Sequence, residues 1–485
     1  MTTISDYHQR TKHSMASVRA NRHMLDWDNQ PLPFKVYEGV PALPLPRDLA
    51  APGGAALDLR GLARLLHFSA GITKRRTLAD GRTMYFRAAA CTGALYHIDV
   101  YVVCGALPGL AAGVYQFGPH DGALHRLRSG DFRAALVAAS GDEPAVAAAP
   151  ALLVCTSTFW RNAWKYQSRA YRHCYWDNGT LLANLLAVAA ADGLPARVVL
   201  GFVDAEVNAL LDLDTEREVA LSLVALGRGA TPAPASPPAP PLALRIKPLS
   251  PREVDYPLIR AAHAATSLAD AAAVRDWRRR AQAMSPPTAP SGERVALPPA
   301  TPAARGLEDT ILKRGSSRRF ARAPIAGGAL AGLLDEATRA VPSDATSAAA
   351  GLGLAEPYLI VNAVDGVAAG SYGWDAASRQ PIGLAAGDFR RIAGHLDLGQ
   401  ELAADAALNV YLLADLERIL AAQGPRGYRA AQLEAAIAGG RLYLAAYSRR
   451  LGATGLTFFD DDVIEFFSPA AAGRDVMFLV AAGRP

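Results

Sequence analysis

Cysteine is scarce in this chain: only Cys91, Cys104, Cys155 and Cys174 occur, and no two of them form a C-x-x-C pair. That argues against a disulfide framework and a cysteine-type zinc or redox motif, and fits a reducing cytoplasm. Long apolar runs are also missing. The longest, Leu181 to Ala191, is too short to cross a bilayer, and the opening Met1-Thr2-Thr3-Ile4-Ser5-Asp6-Tyr7-His8 lacks an apolar signal core. The expectation is a cytoplasmic protein with no membrane partner. No dense basic block is present either: 50 Lys and Arg are spread among 45 Asp and Glu, for a net charge of +5. Nucleic acid is therefore not an expected partner. The clearest basic cluster, Arg275 to Arg280 around Trp277, falls in a predicted helix and reads as a solvated face. His13, His97 and His173 lack metal-ligand spacing, so no metal is expected, and no Gly-rich dinucleotide fingerprint follows a strand.

What the chain has is bulk. With 485 residues, 51% apolar and 20% charged, it can build two cores. Proline-rich stretches from Thr231 to Pro241 and from Ser285 to Pro302 read as stiff, extended connectors. Between them Leu258 to Met284 lacks proline and carries apolar residues at helical spacing, which predicts a helix bridging the halves. The expected layout is a first domain over 1–228, a connector with that helix over 229–304, and a second domain over 305–485.

It also has an internal repeat. Tyr171-Arg172 matches Tyr428-Arg429, an offset of 257. Val114-Tyr115-Gln116-Phe117 matches Ser371-Tyr372-Gly373-Trp374, and Gly201-Phe202-Val203-Asp204 matches Phe458-Phe459-Asp460-Asp461, at the same offset. So long a period means duplicated domains. In the first copy Ile98–Val103, Val114–Phe117, Ala151–Thr156, Arg197–Phe202 and Val219–Leu226 read as strands. Asn178–Asp192 reads as a helix with Leu181, Leu182, Leu185, Leu186 and Ala189 on one face, and another helix starts at Asp204. The second copy repeats this with a strand at Leu408–Ala414, a helix through Arg429–Leu451 and a last strand at Val476–Ala481. Hairpins and long helices in this order predict an α+β domain with helices over a mostly antiparallel sheet.

Arg314-Gly315-Ser316-Ser317-Arg318-Arg319-Phe320 opens the second copy with three guanidinium groups and two hydroxyls. A phosphate monoester is held by such planar forks and short hydroxyl donors, although a bare run of this kind can equally be a solvated face. The run resembles the R-x-S-x-R signature by which nitroreductase-family proteins bind the phosphate of FMN. In the first copy Gly93-Ala94-Leu95-Tyr96-His97-Ile98-Asp99-Val100-Tyr101, preceded by Arg87, resembles the P-S-A-G-A-L-Y-P-x-E-V-Y segment of SagB/ThcOx-type dehydrogenases. These are the nitroreductase branch that oxidises azolines to azoles. The resemblance extends over nearly the whole chain. It implies two fused nitroreductase-like domains forming an intrachain pseudo-dimer.

In that family each flavin is gripped at its phosphate by one subunit and covered at its ring by the other. The first copy reads Leu45-Pro46-Arg47-Asp48-Leu49 where the phosphate motif should stand, and the second reads Ala350-Gly351-Leu352-Gly353-Leu354 where the ring segment should stand. The resemblance then implies one FMN from two complementary half-sites, and leaves further homo-oligomerisation open. Its expected contacts are Arg314, Ser316, Arg318, Gly455 and Arg474 in the second copy, and Arg87, Cys91, Thr92, Gly93 and Tyr96 in the first. The family's Pro-Ser-Ala is Ala90-Cys91-Thr92 here, so the serine contact is replaced. Cys91 can be reactive or a small buried apolar residue, and Arg474 can serve the phosphate or be a surface charge.

Lys165-Tyr166 matches a catalytic Lys-Tyr pair of the azoline-oxidising members. Loss of a hydride to flavin N5 releases a proton nearby, which a desolvated lysine of lowered pKa or a tyrosine would accept. Without the family context the pair could be a snorkelling lysine beside a core tyrosine. Asp460-Asp461-Asp462 looks like an acidic metal cluster but starts a predicted helix, where carboxylates stabilise the positive end. The expected function is FMN-dependent oxidation of an azoline, peptide-derived or carrier-bound small molecule in natural-product biosynthesis. The alternatives are an NAD(P)H-dependent nitro or quinone reductase, and a non-catalytic flavin-binding or scaffold protein.

Overall fold

The computed structural model describes residues 3–51, 56–79, 81, 83–229, 231–347 and 349–485. It divides into two units, Met1–Ile4, Leu25–Ala283 and Pro342–Ala345 in the first, and Ser5–Met24, Met284–Val341 and Thr346–Pro485 in the second.

The first unit is built on a seven-stranded sheet in the order Ala42–Pro44, Ala123–Ser129, Gly113–Gly118, Ile98–Cys104, Ala151–Thr158, Glu218–Leu226 and Ala196–Val199. Every pairing is antiparallel. The central strands, Ile98-Asp-Val-Tyr-Val-Val-Cys104 and Ala151-Leu-Leu-Val-Cys-Thr-Ser-Thr158, are rich in β-branched residues and buried along their whole length. Such a strand is covered on both faces, which is why it lacks polar alternation. The second unit repeats the sheet without its first edge strand: Gln380–Ala386, Gly370–Asp375, Glu356–Val361, Leu408–Ala414, Asp475–Gly483 and Gly452–Gly455. Tyr115 Oη donates to the Ala111 carbonyl at 2.8 Å, and Tyr372 Oη to that of Ala368 at 2.6 Å. Both residues of each bond are related by the repeat offset, so duplication extends to single hydrogen bonds.

The long helix of the first unit spans Ala170–Ala191, eight residues earlier than its leucine pattern predicts. Tyr171, Arg172, His173, Cys174, Tyr175, Trp176 and Asp177 are all buried in it. Polar residues hid the start, because tertiary packing and not periodicity places them inside. Its counterpart, Gly427–Ser448, is likewise buried on nearly all sides, as expected of a helix lying between layers.

Two further expectations are corrected. Leu258–Met284 is not one helix but two, Pro257–Ala265 and Ala271–Ala283, both in the first unit. The Thr266 hydroxyl donates to the Ala262 and His263 carbonyls, and Ser267 Oγ to that of His263, while Asp270 caps the Ala273 amide. Side chains that compete for backbone groups in this way end one helix and start the next. Nor is Arg275 to Arg280 wholly a solvated face. Arg278 is buried, with Nε 2.9 Å from Glu143 and Nη2 2.6 Å from the Ser140 carbonyl. Arg279 and Arg280 do face solvent, paired with Asp276.

Candidate functional site

In the first unit the expected residues gather around the turn Cys91–Tyr96, which joins the hairpin Ile72–Thr77/Thr83–Arg87 to strand Ile98–Cys104. Gly93, Ala94 and Tyr96 all adopt left-handed backbone, with φ of 59°, 55° and 49°. Two of the three carry a Cβ, so the turn is strained and must be held from behind. Asp177 on the long helix does that. Its carboxylate accepts from the Thr92 amide at 2.9 Å, the Thr92 hydroxyl at 2.7 Å, the Cys91 thiol at 3.0 Å and His97 Nε2 at 2.8 Å.

The surrounding donors and acceptors are arranged in one direction. A carboxylate only accepts, so His97 carries its proton on Nε2 and takes a hydrogen bond from Ser157 on Nδ1, at 2.7 Å. Asn162 donates to the Thr92 hydroxyl at 2.7 Å and accepts from His173 Nδ1 at 2.8 Å. Burial, reinforced by the Asp177 charge, pushes the Cys91 thiol well above its ordinary range. Cys91 is therefore a thiol that donates, not a thiolate nucleophile.

Arg87 is buried with its guanidinium donating to the Ile98 carbonyl and lying 5.3 Å from the Tyr96 ring centre. Burial lowers it to about 10, against the attraction of Asp99. It props the turn and Tyr96 from below, which is a positioning role. Asp99 is held below its ordinary value despite its burial, because Arg161 pairs with it.

Four amides of the turn are engaged: Thr92 on Asp177, Ala94 on the Cys91 carbonyl, Leu95 on the Thr92 carbonyl and Tyr96 on Cys91 Sγ. Among the described residues this leaves the amides of Cys91 and Gly93, and of the two residues only Gly93 is exposed, so its N–H is the donor a flavin could use. Gly93 is exposed, and a Cβ there would stand 3.0 Å from Tyr166 Oη. The helix Phe159–Tyr166 ends at a break, Gln167 with φ of 50°, and so delivers Tyr166 to this turn. Leu95, Trp160, Trp164 and Leu249 form the apolar seat under it. Lys165 Nζ lies 5.3 Å from the Tyr166 ring centre, but the residue is exposed, so the desolvation expected of a lysine base is missing.

Behind Cys91, Arg87, Tyr96 and Asp177 is a void of about 20 Å³, room for one water at most. That void cannot hold a planar ring. A larger hollow, about 430 Å³, is lined by Phe159, Trp160 and Tyr256 with Glu216, Glu253 and Asp255. With Arg217 paired to Glu253, its lining still carries an excess of carboxylates, which disfavours a phosphate.

In the second unit the loop Arg314–Arg319 is anchored by buried Phe320 and by the Ser317 amide on the Ala453 carbonyl at 3.0 Å. Tyr443, from the long helix, organises it: Ser316 Oγ lies 3.3 Å from its hydroxyl and Arg314 Cζ 5.9 Å from its ring centre. The Gly455 amide donates to that hydroxyl too, so it is already engaged and not free for a flavin. Arg318 and Arg319 are exposed and form no ion pair among the described residues. Two free guanidinium groups beside an exposed serine fit a phosphate. Arg474 does not join them. Gly455 pairs with Val480, six residues along the strand, or roughly 20 Å. Arg474 instead pairs with buried Glu356 at 3.3 Å.

Comparison with known proteins accords with this architecture. The nitroreductase family model matches residues 76–228 and 311–484, once in each unit. The chain belongs to the nitroreductase family. Members of this family are flavin oxidoreductases. A nitroreductase-type protein from Anabaena variabilis, known from a crystal structure, is 28% identical, with a TM-score of 0.82 and full coverage of both chains. A nitroreductase-type protein from Methanocaldococcus jannaschii is 26% identical over 172 residues, 36% of this chain and 81% of that one. No helix among the described residues is long and apolar enough to cross a membrane.

Asp177, Asn162 and His97 in the first unit, and Tyr443 in the second, are parts of these sites that sequence reasoning missed. Asp177 had one legible signal: at the repeat offset it matches Glu434, the one acid of each long helix.

Proposed function

We propose that this protein is an FMN-dependent dehydrogenase that oxidises an azoline, peptide-derived or carrier-bound intermediate of natural-product biosynthesis, with electrons passed on to oxygen. The observation that supports this most is the placement of the Tyr166 hydroxyl against the exposed turn at Gly93. FMN, when bound, accepts the hydride. The neighbouring proton then needs a base at the same turn, and Tyr166, acting as its phenolate, can take it, with Lys165 Nζ 5.3 Å from its ring centre. Arg314, Ser316 and Arg318 would hold the phosphate, and the Gly93 amide would donate to the ring. Each motif survives in only one copy of the repeat, which supports one FMN per chain.

The exposure of Lys165 favours a second activity, NAD(P)H-dependent nitro or quinone reduction, which needs no base there. The two are separated by flavin content and by reduction of the bound flavin under anaerobic conditions. For the dehydrogenase, about one FMN per chain is expected. Azoline peptides should reduce it, and Tyr166→Phe should slow that reduction by about 100-fold or more. Fast reduction by NAD(P)H that is indifferent to Tyr166→Phe, with none by azolines, would establish the reductase instead. No reduction by either donor would point to a non-catalytic flavin protein.

A further inference from the structure

The hairpin between strands Gly113–Gly118 and Ala123–Ser129 carries a cluster unrelated to the flavin residues. His120 and Asp121 stand in its turn and His125 on the returning strand. His125 Nε2 lies 2.9 Å from Asp121 Oδ2, and His120 Nε2 lies 3.6 Å from the same oxygen. The two imidazoles are nearly parallel, 12° apart with centroids at 5.9 Å, so both present an edge to the carboxylate. One ligand atom from each residue lies within 4.8 Å of the others. Ligands at zinc bond lengths of about 2.0 to 2.1 Å stand about 3.3 Å apart in a tetrahedron, and the observed separations bracket that value.

The surroundings keep this geometry. Phe34 stacks on His120 at 5.0 Å and 19°, which fixes the ring. Gly118 lies under the cluster: a Cβ there would come within 2.7 Å of His125 Nε2 and closer still to Asp121 Oδ1. Any other residue would fill the space where the three ligand atoms converge. Two imidazoles with one carboxylate suit a borderline cation such as Zn²⁺ better than Mg²⁺ or Ca²⁺, which prefer all-oxygen sets.

We infer that His120, Asp121 and His125 form a binding site for a divalent transition metal, Zn²⁺ foremost, with a fourth position open to water or a small anion. Neither imidazole Nδ1 has a hydrogen-bond partner among the described residues. Sites lacking that outer support bind roughly 10- to 100-fold more weakly than those that have it, so this one should exchange its metal readily.

The test is a Zn²⁺ titration of tag-free, flavin-loaded protein by calorimetry, with Co²⁺ absorption as a second probe of ligand geometry. One Zn²⁺ per chain is expected, weakened at least about tenfold by His120→Gln or His125→Gln. His395→Gln is the control, since among the described residues His395 has one carboxylate partner, Asp462 at 2.8 Å, and no second imidazole beside it, and should leave binding unchanged. Circular dichroism and flavin content verify that each variant is folded. Absence of binding to the parent protein, or binding unchanged in the His120→Gln/His125→Gln double variant, overturns the assignment. So does binding lost only on Cys91→Ser, which would place the metal among Cys91, His97 and Asp177 instead.

Discussion

Replacing Asp177 by asparagine keeps the shape of the side chain and changes only what its oxygens can do. Oδ2 accepts from Cys91, Thr92 Oγ1 and His97, and Oδ1 from the Thr92 amide. In Asp177→Asn the side-chain amide oxygen would turn toward the three donors, leaving its NH2 to face the Thr92 N–H. Three hydrogen bonds lose their charge assistance, at about 1 kcal/mol each, and a buried N–H loses its acceptor, at about 1–3 kcal/mol. Removing a buried charge gives back part of this, so the expected net loss is about 3 kcal/mol. The three left-handed residues would relax with it. Urea unfolding followed by tryptophan fluorescence reads the effect where it occurs, because Trp27, Trp160, Trp164, Trp176 and Trp277 lie in the first unit and only Trp374 in the second. FMN and riboflavin should be lost equally, since the damage is on the ring side. A loss below about 1 kcal/mol, or a variant that keeps its flavin, would refute the view that Asp177 holds the turn.

Arg314→Ala with Arg318→Ala removes the two proposed phosphate contacts, at about 1.5–3 kcal/mol each, so FMN binding should weaken by about 100-fold or more while riboflavin binding stays unchanged in a fluorescence titration. Gly93→Ala should cost about 1–2 kcal/mol from its left-handed backbone alone. Gly39→Ala, with φ of 71° and open space around it, should cost the same in urea unfolding, but only Gly93→Ala should alter flavin reduction by displacing Tyr166. Burial would raise the Asp475 carboxyl, yet His8 at 3.0 Å and Lys12 at 2.9 Å outweigh it and hold it at about 2. A depressed carboxyl stabilises the fold above its ordinary 3.8, and that stability, about 2 kcal/mol, should disappear as the pH falls toward 2. Asp475→Asn should flatten this part of the acid unfolding curve.

The fold was legible because strands such as Leu408–Ala414 are continuous apolar runs bounded by turn residues, and because the repeat let each half check the other. The candidate phosphate loop, Arg314–Arg319, could be picked out because its residues are contiguous. What stayed hidden depends on residues far apart in the chain. Asp177 and Tyr443 sit on helices whose pattern announces burial alone, and nothing in Lys165-Tyr166 tells that the tyrosine faces the turn while the lysine faces solvent. Arg474 shows the converse: a basic residue after glycine reads like an anion ligand, but Glu356 takes it. The break at Thr266 was missed because threonine and serine within an apolar pattern do not show which carbonyls they will bond.

Asp177 and Glu434 explain how one copy could lose the ring segment without losing its fold. Glu434 accepts from the amides of Gly353, Leu354 and Ala355 at 2.9, 2.7 and 2.8 Å. In both copies, then, an acid on the long helix closes the loop that leads into the matching central strand. In the second copy only main-chain donors are used, which any residue but proline supplies. In the first copy the acid also takes the side chains of Cys91, Thr92 and His97, so there the identity of the loop matters as well as its path. A copy relieved of the ring could therefore change its loop at little cost in stability, whereas the other could not. The same logic predicts that substitutions at Leu352 or Leu354 act through packing alone, while Thr92→Val, which keeps the amide and removes the hydroxyl, should leave Asn162 without its acceptor and disturb the flavin turn.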